Sequence, residues 1–423
     1  MELAEGPSTA IPSPGSGAAV GDESIVLPVR TVEEHQSTIA GLFKTRVPQQ
    51  LPLADTLGLV LAASVVAPLS LPGFDNSAMD GYAVVATDLV GATAEHPVRL
   101  PVAEDIPAGR TDPLTLKPGA AHRIMTGAPV PAGATAVVPV EATDGATDTV
   151  TIRASVRPGQ HIRIAGEDVM AGATVLQAGQ AVTPAALGLA AALGLPNLPV
   201  VPRQRVLVMS TGTELVAPGI PLLPGQIYES NAVMLAAAVR DAGAEVTVAP
   251  MSVDDVETFR ATLAAHAAEV DLIITTGGVS AGAYEVVKDA LSEQVEFVKV
   301  AMQPGMPQGS GSVDGTPIVT LPGNPVSALV SFEVFIRGPL RAAMGHPRPD
   351  RPRRAAFLSE DLTSPRGKRQ FRRGVLTGDT VTSYGPPGSH HLRWLASANC
   401  LVEIDEDVTE LAAGAPVPVW DLR

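Results

Sequence analysis

Between residues 205 and 337 the chain alternates short apolar runs with longer amphipathic ones, and this pattern limits its fold more than any other feature. The run 206–209 is strand-like and leads into Ser210-Thr211-Gly212-Thr213-Glu214. A helix is predicted over 231–242, closed by Gly243, then a strand over 245–249 and a helix over 255–268. A strand over 271–275 is followed by Thr276, Gly277 and Gly278. A strand over 317–321 ends in Pro322-Gly323-Asn324-Pro325, which opens a helix to about residue 337. Strand, loop and helix in this order predict a parallel sheet wound with helices. Such a sheet presents its ligand site outside the carboxyl ends of its strands, where these three loops fall.

The flanking segments read differently. Residues 1–25 are rich in Pro, Ser, Gly and Ala and are expected to be a disordered tail. Thr31-Val32-Glu33-Glu34 is a capping box that starts a helix to about residue 45. A second short helix is expected over 53–63, and a third opens at Thr183-Pro184 and ends by Gly194. Residues 26–70 and 166–200 together form the expected helical, linking domain. From 71 to 165, Val-rich runs at 82–85, 98–102, 136–140 and 149–152 alternate with Pro/Gly turns, which predicts an all-β insertion. The central α/β domain spans 201–345. After the proline-rich stretch 347–352 short strands resume, so 346–423 is expected to be a β-barrel-like C-terminal domain.

Composition narrows the function. A net charge of −15 argues against nucleic-acid binding, which relies on Lys and Arg against phosphate, and against a membrane-surface role. The segments 57–71 and 185–201 are apolar but are broken by Ser64 and Pro68, and by Pro196, Asn197 and Pro199, so neither reads as a membrane span. A cytoplasmic location is the expectation. The single cysteine, Cys400, excludes an internal disulfide and a Cys-based zinc site, and its apolar neighbours suit a buried small hydrophobe.

The loops themselves suggest anion chemistry. Glycines let backbone N–H groups approach a ligand, and helix N-termini favour negative charge. The candidate ligand-binding residues are Ser210, Thr211, Gly212, Gly277, Gly278, Ser280, Pro322, Gly323, Asn324 and Pro325. Neither GxGxxG after a first strand nor GxxxxGK[ST] is present, so this is not a standard dinucleotide or P-loop site. Nearby carboxylates, Glu214, Asp254, Asp255 and Glu285, would repel a phosphate unless a divalent cation bridged them, as Mg²⁺ does with one or two carboxylates. Asp254 and Asp255 also have a local explanation as the start of a helix.

Seven stretches occur in one order: Pro72-Gly-Phe-Asp-Asn-Ser-Ala-Met-Asp-Gly-Tyr-Ala-Val84, the run 123–133, Gly166-Glu167-Asp168, the run 211–215 with Ser210, Gly225-Gln226-Ile227-Tyr228, the run 276–280, and the run 321–327. Together they resemble the molybdopterin molybdenumtransferase family, which includes the C-terminal domain of gephyrin. The resemblance runs from about residue 29 to 402. It implies an elongated homodimer that takes adenylylated molybdopterin and molybdate, inserts molybdenum into the dithiolene and releases AMP with Mg²⁺. It also implies that the sheet domain of one subunit faces the β insertion of the other across a shared site. Carried over by motif, Asp80, Thr126, Asp168, Glu214 and Lys299 are catalytic, and Glu214, Asp254 and Glu285 hold the metal. Proteins of cofactor synthesis or acceptor proteins are the implied protein partners. Alternative readings are a non-catalytic cofactor-binding or scaffold paralogue, or a molybdopterin adenylyltransferase.

The chain departs from the family pattern in places. Glu285 stands where Asp is usual, Gln303 and Met306 where many relatives carry lysine, and Ser310 where an aromatic is common. The segment 366–373 holds five basic residues in eight and is read first as a solvated hairpin, second as a rim that attracts an anionic substrate or a partner. His390 and His391 lack an evident third partner for metal binding.

Overall fold

The computed structural model describes residues 28–249, 255–278 and 286–423. Its centre is a seven-stranded sheet. Glu245–Val248, Arg205–Ser210, Leu272–Thr276 and Thr316–Leu321 lie side by side in that order and run parallel. Beyond them the sheet is mixed. Pro307–Val313 runs antiparallel to both Thr316–Leu321 and Val295–Val300, and Val29–Arg30 adds a parallel edge. The expectation of a parallel sheet therefore holds for the half that carries the three loops. The reversal is made by a two-residue hairpin at Asp314-Gly315, with φ of 49° and 83°. Asp-Gly supplies the positive φ that such a turn requires.

Successive residues of the central strands face opposite layers. Val206, Val208, Leu272, Ile274, Val319 and Leu321 pack with Leu235 and Val239 of helix Asn231–Asp241 and with Ile39 of helix Val32–Ala40. Leu207, Met209, Ile273 and Ile318 pack with Phe259 and Leu263 of helix Val256–Ala267. Both faces of the sheet are thus buried, and the strands read as continuous apolar runs.

The capping box forms: Thr31 Oγ1 accepts from Glu34 N, and Glu34 Oε2 accepts from Thr31 N. That helix stops at Ala40, short of residue 45. Thr183 caps helix Pro184–Ala192 by accepting from Ala186 N. The helix expected over 53–63 does not form. A short 3₁₀ turn, Leu53–Asp55, gives way to strand Val60–Leu61, which pairs with Asn197–Val201. Pairing with a strand far along the chain overrides a local apolar spacing that suits a helix. The helix opened by Pro325 is interrupted by a π segment, Phe332–Ile336, before Arg337–Ala343. Pro339 lacks an N–H and its ring crowds the carbonyl four residues back, at Phe335.

The β insertion is a five-stranded sheet in the order Thr149–Ile152, Val98–Ile106, Ala121–Ile124, Gly81–Val84, Ala136–Pro139. Its strand Ala121–Ile124 was not among the expected runs. In the C-terminal region Arg369–Thr377, Thr380–Ser383, Arg353–Leu358, Pro416–Asp421 and Cys400–Ile404 close on themselves through the pairing of the first with the last, giving a barrel. Met302–Gln303 adds to this barrel as a further strand. Cys400 is fully buried in it, and burial pushes its thiol up to about 11, as suits an inert hydrophobe. Among the described residues no helix is long and apolar enough to cross a membrane.

His35 gives the fold a pH dependence. It is fully buried, packs edge-on against Phe335 at 4.7 Å, and neither ring nitrogen has a hydrogen-bond partner among the described residues. Burial, aided by Arg30, lowers its pKa to about 4. As pH falls below the ordinary histidine value the unfolded chain takes up a proton that the folded chain refuses, so stability falls. By pH 4 the loss from His35 amounts to roughly 3 kcal/mol. His346 is lowered to about 4 by burial and by Arg341, and acts in the same window. Urea unfolding midpoints are expected to drop between pH 7 and pH 4.5. The drop should shrink in His35→Phe; an unchanged drop would remove His35 from this role.

Candidate active site

The carboxyl ends of the parallel strands open into a cleft of about 1000 Å³. Ser210, Thr211, Gly212, Glu214, Gly277, Gly278, Pro322, Gly323, Asn324 and Pro325 line it. The three loops are thus brought to one edge, as the strand pattern requires. Ser280, Asp254 and Glu285 lie outside the described residues.

The loops are pressed against each other at backbone distance. Thr211 N donates to Thr276 O at 3.2 Å, and Gly277 N donates to Leu321 O at 3.2 Å. Gly277 has φ of 95°, and a Cβ there would lie 2.7 Å from Thr211 O. The contact at Gly212 is less constraining, since a Cβ there would meet the Glu214 carboxylate at 2.7 Å, the end of a flexible side chain that can move aside. Asn231, the first residue of its helix, ties two loops together. Its amide donates to Thr276 Oγ1 at 3.0 Å and to Gly323 O at 2.6 Å.

Two carboxylates line this part of the cleft, and their surroundings differ. Glu214 is exposed, and its backbone O accepts from Ile227 N at 2.9 Å. Glu229 is 6% exposed, and one of its oxygens accepts from both Ser210 Oγ at 2.9 Å and Ala232 N at 2.8 Å. Glu229 therefore fixes the first loop to the start of helix Asn231–Asp241, while Glu214 presents an exposed carboxylate to the cleft. Sequence reading stopped at Tyr228 and missed Glu229. Its signal is a carboxylate placed three residues before Ala232, within reach of an unpaired helix N–H.

The opposite wall comes from two further regions: the loop through Gln303 and Met306, which the sequence marks as one to meet an anion, and part of the C-terminal barrel, where Lys368 of the basic run fits its second reading as a rim. Residues 302–307 supply one, propped by the buried Gln308, whose amide donates to Gly305 O at 2.6 Å and Ser331 Oγ at 2.7 Å. The barrel supplies the other, through Lys368 and residues 387–390. Arg373, 4% exposed, donates to the carbonyls of Gly388, His391 and Pro386 and so holds this loop. Val326 N donates to Ser389 O at 3.1 Å, fastening the loop to the helix after the third glycine turn. The basic run 366–373 is thus not a solvated hairpin. Most of it lies in strand Arg369–Thr377, and only Arg366 and Gly367 in it are exposed. Within the strand successive side chains point to opposite faces, so Arg369 and Arg373 meet other partners than Arg372 does.

Asp80 and Thr126 are brought together elsewhere, in the β insertion. Thr126 donates to Asp80 Oδ1 from its backbone N at 2.6 Å and from its hydroxyl at 2.7 Å. These two bonds, the backbone one foremost, hold the Asp80 carboxyl below the usual carboxylate range. Asp75 in the same acidic loop accepts from Ala165 N at 2.8 Å. Asp168 is exposed, and its N donates to Leu71 O. Lys299 is half-buried on strand Val295–Val300. None of Asp80, Thr126, Asp168 and Lys299 lines the cleft of this single chain. Among the described residues no three His, Cys, Asp or Glu side chains cluster to hold a metal.

Comparisons with known proteins cover nearly the whole chain. Residues 30–194 match the MoeA N-terminal region (domain I and II), 207–342 a probable molybdopterin binding domain, and 355–422 the MoeA C-terminal region (domain IV). A curated relative from Mycobacterium tuberculosis, "Molybdopterin molybdenumtransferase 2", is 68% identical over 93% of this chain and 100% of its own length. "Molybdopterin molybdenumtransferase 1" of the same organism is 36% identical over 92% of this chain and 98% of its own. A crystal structure of the molybdopterin biosynthesis moeA protein from Pyrococcus horikoshii aligns with a TM-score of 0.78 at 30% identity, covering 93% of this chain and 99% of that one.

The contact between Gly277 and Thr211 is open to test. Gly277→Ala forces a side chain onto a carbonyl at positive φ, and is expected to cost about 1–3 kcal/mol of stability. Gly323→Ala meets the Gly277 Cα at 3.5 Å, an ordinary contact, and should cost less. Denaturant midpoints of the two variants give the order; a reversed order would contradict this packing.

Proposed function

Because the chain belongs to the molybdopterin molybdenumtransferase family, we propose that its cleft takes adenylylated molybdopterin and molybdate. Molybdenum enters the dithiolene and AMP leaves. The observation that carries this reading is the convergence of three glycine loops and Glu214 on one large cleft. Backbone N–H groups in such loops suit phosphate oxygens. The dithiolene sulfurs arrive on the substrate, so the reaction asks for no protein thiol, in keeping with the burial of Cys400.

Mg²⁺ fits the donors present. It uses few protein carboxylates beside substrate oxygens, and Glu214 is an exposed carboxylate on the cleft. Asp254 and Glu285 would complete the set by motif. When bound, the ion supplies Lewis-acid polarisation of the phosphoanhydride. Glu214 would hold that charge in place, and Lys299, which lies outside the cleft lining, would offset the charge of phosphate or molybdate only from a distance. Asp80, kept ionised by Thr126, is an acceptor for N–H groups of the pterin end, and Asp168 acts beside it.

The distribution of these residues favours a shared site. Asp80, Thr126 and Asp168 lie outside the cleft of their own chain, so in a homodimer they serve the cleft of the other copy. Asp80→Asn and Glu214→Gln are each expected to lower AMP release by at least about a hundredfold, the scale of losing a positioned charge, when enzyme, adenylylated molybdopterin, Mg²⁺ and molybdate are incubated. Mixing the two inactive variants is then the sharper test. An equal mixture should regain about a quarter of the wild-type rate, since half the dimers are mixed and each keeps one intact site. No recovery after confirmed subunit exchange would place the site within one chain.

A further inference from the structure

Gln303 lines the cleft. Its strand, Met302–Gln303, pairs in parallel with Arg369–Thr377, and Gln303 stands opposite Gln370. Gln370 is 2% exposed. Its amide Nε2 donates to Gln303 Oε1 at 3.0 Å, and its Oε1 accepts from Arg372 Nε at 2.7 Å. Arg372 donates again to Thr363 O.

The direction of this chain is set at one end. A guanidinium has donors only. Gln370 must therefore turn its oxygen to Arg372, which leaves its NH₂ facing Gln303. Gln303 must then accept through its oxygen, and its own NH₂ is the end left to donate. Reversing Gln370 would set two donors face to face in a dry place and forfeit a charge-assisted bond. The usual ambiguity of amide orientation is removed for both glutamines.

We infer that Arg372, acting through Gln370, fixes Gln303 as a hydrogen-bond donor to an oxyanion in the cleft. Gln303 is the binding residue, and Gln370 and Arg372 are positioning residues. The relay sets a neutral donor of fixed direction at the cleft wall. It rests on the reading of the cleft as an oxyanion site, and the oxyanion is either molybdate or the phosphate of AMP.

The test is calorimetric titration of molybdate and, separately, of AMP into wild type, Gln303→Leu, Gln370→Glu and the double variant. Gln303→Leu should weaken one of the two anions about tenfold, the scale of one hydrogen bond to a charged group, and which anion responds identifies the ligand. Gln370→Glu has acceptors only, so it draws the Gln303 NH₂ away from the cleft and should weaken the same anion about as much. It also pairs with Arg372, so its unfolding midpoint should not fall below wild type. A merely structural role for Gln370 would lower that midpoint. In the double variant the Gln370→Glu effect should vanish, because the group it acts through is gone. If the effect persists there, it is simple charge repulsion and the relay is wrong; if Gln370→Glu changes neither anion, the relay is also wrong. If wild type binds neither anion, the reading of the cleft itself fails, and the relay with it.

Discussion

The site depends on one close approach. The Gly277 backbone lies where Thr211 O would collide with any side chain, and Gly323 closes in from the other side with a would-be Cβ 3.5 Å from the Gly277 Cα. Three loops at consecutive strand ends can converge only if the middle one has no side chain on that surface. The parallel strands bring the loops to one edge, and the missing side chains let them touch. Asn231 then spans two of them, and Glu229 anchors the third to the same helix. The floor of the cleft is thus almost all backbone, fixed by hydrogen bonds, with Glu214 as its exposed carboxylate.

What could be read in the sequence was local. The strands that end in the three loops and the helix caps at Thr31 and Thr183 follow from spacing and from hydrogen bonds three residues apart. The antiparallel strand Pro307–Val313 was hidden by composition. Gly309 and Gly311 lower its strand propensity, yet both are needed, since a Cβ would strike Thr320 Oγ1 at 2.2 Å and Gln294 O at 1.9 Å. Its one clear signal was the Asp314-Gly315 turn.

The second wall of the cleft was legible only in part: its loop through Gln303 and Met306 stood out as one to meet an anion, but the pairing that holds it did not. Gln303 and Gln370 are 67 residues apart, and no periodicity announces their pairing. The basic run 366–373 looked like surface because five cations in eight residues rarely enter a barrel. It enters because Arg373 finds three carbonyl partners and Arg369 finds Glu33 and Glu406. Buried charge is tolerated when its hydrogen bonds are met, and that condition belongs to the tertiary structure.

The strand Met302–Gln303 belongs to two bodies at once. It leaves the sheet domain directly after Val295–Val300 and is stitched into the barrel beside Arg369–Thr377. A tilt of the barrel therefore pulls on the mouth of the cleft as a hinge pin pulls on a door, with no loop between to absorb the movement.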